Sequence, residues 1–172
     1  TVRIAKRLPM GGGLGGGSLR GGAPTASAQV IDLNSVQPTW RSVDDLHFAR
    51  RHLNATLLAD GKVLVTGGTS KALDDYTGGV YQAELWDPVS EKWTVLAAGS
   101  RYRGYHSTAL LLPDGRVWIC GGGHPDTING EQANFEIFCP PYLFQGNSPV
   151  ISNGPATVRY GEQFTVTVAG NS

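Results

Sequence analysis

Arg51-His52-Leu53-Asn54-Ala55-Thr56-Leu57-Leu58-Ala59-Asp60-Gly61-Lys62-Val63-Leu64-Val65-Thr66-Gly67-Gly68 recurs 54 positions later as Tyr105-His106-Ser107-Thr108-Ala109-Leu110-Leu111-Leu112-Pro113-Asp114-Gly115-Arg116-Val117-Trp118-Ile119-Cys120-Gly121-Gly122. Each stretch reads as a strand, a tight Asp-Gly turn, a second strand and a closing Gly pair. Asp-Gly between two apolar runs signals a hairpin, because the turn needs a positive φ that Gly adopts at no steric cost. The apolar runs are nearly continuous, as in strands covered on both faces. The rest of the unit recurs too. Glu84-Leu85-Trp86-Asp87-Pro88 followed by Lys92-Trp93 matches Gln29-Val30-Ile31-Asp32-Leu33 followed by Trp40, and Asn134-Phe135-Glu136-Ile137-Phe138-Cys139-Pro140 is a third copy. Each adds one more strand, a turn and usually an aromatic on a fourth strand. Four short antiparallel strands per ~50 residues, with a Gly pair and a spaced Trp, describe the blade of a kelch-type β-propeller. The glycine-rich start (Gly11 to Gly22) stands where an earlier Gly pair would fall. The chain thus holds two blades in most of their length and the tail of one before them.

Composition agrees with an all-β reading. Of 172 residues, 24 are Gly, ten Pro and one Met, and that Gly content is about twice the ~7% average. Fourteen Lys and Arg balance fourteen Asp and Glu, so the basic excess that neutralises nucleic-acid phosphates is absent. No run approaches the ~18 apolar residues of a membrane span. After Pro149 the pattern changes: Ala156 to Val168 alternates with the period of two of a half-exposed strand. The Pro-Pro, Gly-Asn-Ser-Pro and Asn-Gly-Pro cluster around it reads as a linker. The expected organisation is residues 1–148 as the C-terminal part of a propeller and residues 149–172 as the first strands of an immunoglobulin-like β-sandwich. Both ends fall in mid-pattern, and a propeller needs at least four blades to close. The expectation is therefore a piece of a longer protein, inactive alone, whose first partner is the remainder of the parent polypeptide.

Most of the repeat is scaffold. Asp60 and Asp114 are turn acids, and the Gly11 to Gly22 tract is a loop: no Gly-rich segment follows a strand and opens a helix with nucleotide-binding spacing. The four Trp residues fall at blade positions, mostly in the core, with Trp118 a candidate for lining a pocket. Cys120 and Cys139 lack metal-type spacing; they read as buried thiols, with a single bridge between them left open. His47 reads as packing or surface, and His124 follows three glycines in a loop. His52 and His106 are more telling. They occupy equivalent positions at the start of each blade's first strand, which in a propeller lines the central channel. Tyr105 stands beside His106, and Arg51 beside His52. Successive strand residues point to opposite faces, so Tyr105 and His106 share one metal only where the backbone is irregular, which Gly104 permits.

At these residues a resemblance enters. Arg101-Tyr102-Arg103-Gly104-Tyr105-His106-Ser107-Thr108-Ala109-Leu110-Leu111-Leu112-Pro113-Asp114-Gly115-Arg116-Val117 closely resembles the segment of the galactose oxidase and glyoxal oxidase family, the copper-radical oxidases, that carries a Tyr-His pair of copper ligands. Leu46-His47-Phe48-Ala49-Arg50, Gly67-Gly68, Glu84 to Pro88 and Phe135 to Leu143 also resemble that family's late blades. The resemblance implies a mononuclear copper site in which Tyr105 is the axial phenol and general base and His106 an equatorial imidazole. Imidazole suits copper, and tetragonal N,O geometry is typical of Cu(II). A phenol is a poor base in water, with pKa near 10, and a nearby metal ion changes that. The family's thioether-linked Tyr-Cys radical and second histidine lie outside this chain, and neither Cys120 nor Cys139 matches the cross-linked cysteine. The implied parent is a secreted oxidase of primary alcohols, aldehydes or carbohydrates that passes electrons to O₂ and yields H₂O₂. The competing reading is a non-catalytic kelch propeller that binds carbohydrate or protein, with Tyr105 and His106 as scaffold.

Overall fold

The computed structural model describes residues 23–71, 76–123, 131–146 and 149–169, and the chain divides after Phe138 into two compact units. In the first unit a two-stranded sheet pairs β1 (Ala28–Ile31) with β2 (Trp40–Val43). A four-stranded sheet follows in simple order: β3 (Asn54–Leu57), β4 (Val63–Thr66), β5 (Gln82–Asp87) and β6 (Lys92–Ala98). A three-stranded sheet holds β7 (Ser107–Leu111), β8 (Val117–Gly121) and β9 (Phe135–Phe138). Neighbours pair antiparallel throughout. Among the described residues the helical turns are 3₁₀ only, at Tyr76–Gly78 and Pro141–Phe144. These are kelch blades: the tail of one, a whole one, and three strands of the next.

The Asp-Gly hairpins form where the repeat places them. In the first, the Leu58 amide donates to the Lys62 carbonyl (2.8 Å), which closes a three-residue loop rather than a two-residue one, the next most common hairpin connection. Asp60 accepts the Lys62 amide (3.2 Å) and Asp114 the Arg116 amide (3.0 Å), so both are turn acids. Asp87 turns the chain from β5 into β6 by accepting the Val89 amide (2.8 Å). In the third copy Cys139 replaces that acid and Pro140-Pro141 follows. Prolines bring no N–H to a ladder, and no fourth strand follows β9 among the described residues.

The core lies between the first two sheets: Ala28 and Val30 of β1, Leu46, Leu53, Val63 and Val65 of β4, and Trp86 of β5. Strand β4 is buried at all four positions, as its apolar run requires. The tryptophans depart from expectation. Only Trp86 is fully buried; Trp93 and Trp118 are half-buried and Trp40, on an outer strand, is exposed. Trp93 instead closes the gap between sheets by donating its indole N–H to the Asp44 carbonyl (2.8 Å). Trp118 leans against Phe135 across the third sheet, ring centroids 6.3 Å apart. Both cysteines are free, Cys120 half-buried and Cys139 exposed; the bridge is not formed, and Cys139 is not the buried thiol expected, because it follows the last strand of its sheet.

A fully buried ion pair organises the whole blade. Arg50 and Glu84 both have zero side-chain exposure and meet at 2.6 Å. The same guanidinium donates to the Gly67 carbonyl (2.9 Å) and the Gln82 carbonyl (3.0 Å), tying the entry of β3 to the ends of β4 and β5. Glu84 also accepts the His47 and Phe48 amides and the half-exposed His47 imidazole (3.0 Å). Burial pulls the Arg50 pKa down from its ordinary value although Glu84 opposes this. The arrangement recurs in the next blade. Arg103 reaches Glu136 (3.2 Å), the Gly121 carbonyl (2.9 Å) and the Asn134 carbonyl (3.1 Å), while Glu136 accepts the Ser100 amide and hydroxyl.

In the second unit, β10 (Val150–Asn153) pairs antiparallel with β11 (Thr167–Ala169), with a register shift after Ile151. The continuous alternating strand expected from Ala156 to Val168 is not formed. Only its end, at β11, finds a ladder partner, and residues 156–166 run as turn and irregular chain. Every described residue from Val150 on is exposed, including Ile151, Phe164 and Val166. The boundary read near residue 148 falls at positions outside the described residues, as do the Gly11 to Gly22 tract and His124.

Two outcomes follow from the ion pairs. Arg50→Met strands a buried carboxylate and should cost about 3–5 kcal/mol, with much of that recovered in the Arg50→Met/Glu84→Met double variant; denaturant titration of the full-length protein measures both. For Glu136, burial pushes the carboxyl pKa up, but the Ser100 donors and Arg103 outweigh it and hold the group below its ordinary value of 4.5. Its stabilisation is therefore present above pH 4.5 and lost as the pH falls through the lowered folded value. Glu136→Gln should be less stable than wild type at pH 7, and the gap should narrow as the pH drops below 4.5.

Candidate metal and proton-transfer site

The segment that carries Tyr105 and His106 is fixed by backbone and buried side chains before either ring is placed. Tyr102, Arg103 and Gly104 are all buried. Arg103 is anchored in its own sheet as described, and its carbonyl accepts the Gly68 amide of the preceding blade (2.6 Å). Glycine is required on both sides of this contact. A Cβ on Gly67 would stand 2.1 Å from the Arg103 carbonyl oxygen, and Gly67 itself has φ +67°. A Cβ on Gly104 would stand 2.0 Å from the Tyr102 hydroxyl, whose ring packs beneath it.

From Gly104 the chain turns. The Ser107 amide donates back to the Gly104 carbonyl (3.0 Å), and the Ser107 hydroxyl reinforces this at 2.7 Å while accepting the Asn54 side-chain amide of the preceding blade (2.9 Å). Tyr105 and His106 are the two central residues of that turn. His106 has φ +62°, the positive value that the third residue of a type II turn demands and that favours Gly. The expected backbone irregularity is thus present, but it sits at His106 rather than at Gly104. Its effect is direct. The two rings do not point to opposite faces: they stack, with centroids 3.7 Å apart and planes 28° apart. Tyr105 is half-buried, His106 is exposed, and the Gly123 amide holds the Tyr105 carbonyl at 2.9 Å. Non-glycine residues held at such φ values concentrate at functional sites.

His52 repeats the unusual backbone, with φ +57°, immediately before β3. Its ring lies against Tyr105, centroids 5.4 Å apart and tilted by 49°, and its Nε2 is 3.1 Å from the Arg51 guanidinium. The structure therefore brings together three rings from two neighbouring blades, His52, Tyr105 and His106. The equivalence of His52 and His106 within the repeat gave no sign of this contact. The reading also missed Arg50, Arg103, Glu84 and Glu136. Their signal was in the sequence, since His47-x-x-Arg50 returns as Ser100-x-x-Arg103 and Gln82-x-Glu84 as Asn134-x-Glu136. These recur at 53 and 52 positions, out of step with the 54-residue period of the strands. His47 stays on the surface as Glu84's partner. Among the described residues no group of three or more His, Cys, Asp and Glu side chains gathers around a common point. The donor set is one phenol and one adjacent imidazole, with a second imidazole in ring contact with the phenol. A phenol oxygen and an imidazole nitrogen presented side by side suit Cu(II), so these residues fit part of a copper site.

No family model matches the chain. It is 34% identical over 154 residues to an aldehyde oxidase of Vitis pseudoreticulata, covering 81% of this chain and 29% of that protein. It is 30% identical over 154 residues to a galactose oxidase of Gibberella zeae, covering 83% of this chain and 22% of that protein. Among solved structures, a fungal alcohol oxidase of the AA5 family, in complex with copper, superposes with a TM-score of 0.77 at 31% identity, over 89% of this chain and 34% of that one. The chain thus spans less than a third of the length of the curated relatives named. No described helix is long and apolar enough to cross a membrane. Blade sequence, blade structure and these likenesses agree, and the chain belongs to the galactose oxidase and glyoxal oxidase family.

Proposed function

We propose that the protein carrying this chain is a copper-radical oxidase, and that Tyr105 and His106 are two of its copper ligands. Residues 1–148 would then belong to its propeller and residues 149–172 would open a C-terminal β-sandwich. The overall reaction converts a primary alcohol and O₂ to an aldehyde and H₂O₂, or an aldehyde hydrate and O₂ to an acid and H₂O₂. The observation that carries this reading is the stack of Tyr105 on His106, which turns two successive side chains the same way. Copper would accept one electron of the pair, with the Tyr-Cys radical, contributed from outside this chain, accepting the other.

The chain's own residues have two tasks. His106 offers an imidazole nitrogen at an exposed turn, where positive φ directs it beside the phenol. Tyr105 is the general base: its Oη takes the hydroxyl proton of the substrate as the alcohol binds, and later returns a proton toward the departing peroxide. The stack limits rotation of the phenol, so that oxygen stays at one place relative to the imidazole. The buried Arg103 and the Ser107–Asn54 link hold the turn while the proton moves. The family relation supports action outside the cell, where a peroxide product is more easily tolerated.

The test uses the full-length protein. His106→Ala should sharply weaken copper binding, measured by metal analysis after dialysis. Tyr105→Phe should keep the metal and lower turnover by a factor on the order of 10² to 10⁴, the usual share of general acid–base catalysis, in a peroxide-coupled assay. A wild-type protein with no stoichiometric copper, indifferent to both changes, would establish the non-catalytic binding propeller instead.

A further inference from the structure

We infer that His52 is a positioning residue for Tyr105, acting through ring contact and not as a ligand or base; the inference rests on the role proposed above for Tyr105. The backbone around the phenol is held at several points. Arg103 is bonded into its sheet, Ser107 closes the turn on Gly104, and the Gly123 amide fixes the Tyr105 carbonyl. What these bonds leave open is rotation of the Tyr105 side chain about its own torsions. Two rings close off that freedom. The His106 ring stacks on it at 3.7 Å, and the His52 ring, from the preceding blade, stands 5.4 Å away at a tilt of 49°, a separation and tilt in the range that aromatic pairs prefer.

The neighbouring Leu53 enters the core cluster, and His52 does not. The ladder of β3 begins beyond it, at Asn54 opposite Thr66. Its positive φ of +57° sets the residue out of the strand, and the Arg51 guanidinium, 3.1 Å from Nε2, fixes the imidazole edge. Arg51 is itself held by a backbone bridge with Thr69, the Arg51 amide donating to the Thr69 carbonyl at 3.0 Å and the Thr69 amide returning the bond at 2.9 Å. Support runs from Thr69 through Arg51 and His52 to Tyr105, from one blade into the next. A base displaced by ~1 Å can lose ~10²-fold in rate, so this support is legible as turnover.

The test again uses the full-length protein. His52→Ala should keep copper stoichiometry and melting temperature while lowering kcat by roughly 10- to 100-fold at nearly unchanged KM. His52→Phe keeps a ring and should restore most of the loss. In a Tyr105→Phe background, His52→Ala should cost nothing further. A readout independent of activity comes from metal-free protein labelled with 3-fluorotyrosine. The ¹⁹F resonance absent from Tyr105→Phe belongs to Tyr105; it should broaden or shift in His52→Ala and stay single in His52→Phe. An unchanged Tyr105 resonance with unchanged kcat in His52→Ala overturns the inference, as does loss of copper from that variant or an equal loss of kcat in both Tyr105 backgrounds. If His52→Ala misfolds, His52→Phe and His52→Leu supply the ring and ringless pair for the same comparison. If wild type binds no copper, the oxidase reading fails, and the ¹⁹F comparison on metal-free protein still decides the role of His52.

Discussion

A buried guanidinium holds each blade together. Arg50 and Glu84 share a site of zero exposure, and a buried charge is tolerable only when paired and hydrogen-bonded. The same guanidinium donates to the carbonyls of Gly67, Gln82 and Phe48, so satisfying one side chain fixes the start of β3 against the ends of β4 and β5. Hydrophobic burial around Val63, Val65 and Trp86 is non-directional. The ion pair adds direction, and it sets where the chain enters the innermost strand.

That entry point is where the two blades differ. Arg50 is followed by Arg51 and His52, whereas Arg103 is followed by Gly104, Tyr105 and His106. One more residue stands between the anchor and the histidine in the second blade. With the arginine and the strand both fixed, the extra length is taken up by Gly104 against the Tyr102 ring and by the turn to Ser107. The tyrosine is thereby lifted out of strand alternation and set beside its neighbour's ring. A general scaffold acquires a particular site through one residue of additional chain, at a place where the scaffold cannot give way.

The repeat made the fold legible. Two copies of strand, Asp-Gly turn, strand and Gly pair became β3–β4 and β7–β8, and the third-strand copies became β1, β5 and β9. The pairing of Tyr105 with His106 was legible as a possibility, since Gly104 permitted a broken strand; the strained residue itself was not, because positive φ is uncommon for any non-glycine residue, even one enriched there such as His. His52 was hidden for a different reason. Its contact crosses between blades, and a repeat compares positions within blades. The Arg–Glu pairs were hidden by their spacing, which slips by one or two residues against the strands. Beyond Pro149 alternation misled, because a period of two describes a strand only where a partner strand is at hand, and residues 156–166 have none.

The seat that Gly67 and Gly68 provide for the Arg103 carbonyl makes the propeller's unit of function different from its unit of sequence. A blade is usually treated as a module to be duplicated, exchanged or grafted. Here the turn bearing Tyr105 is built by the last residues of one repeat's hairpin, the inner-strand Asn54 of that same repeat, and the anchor of the next. Transplanting the Tyr-His blade alone would carry the two rings and leave behind half of their mould. The smallest exchangeable piece that preserves this turn and its supports runs from the Arg50 anchor through Glu136, across two consecutive repeats. Recombination at blade boundaries would therefore preserve the architecture and lose the placement of the two rings, so repeats that are interchangeable as scaffold are not interchangeable at this turn.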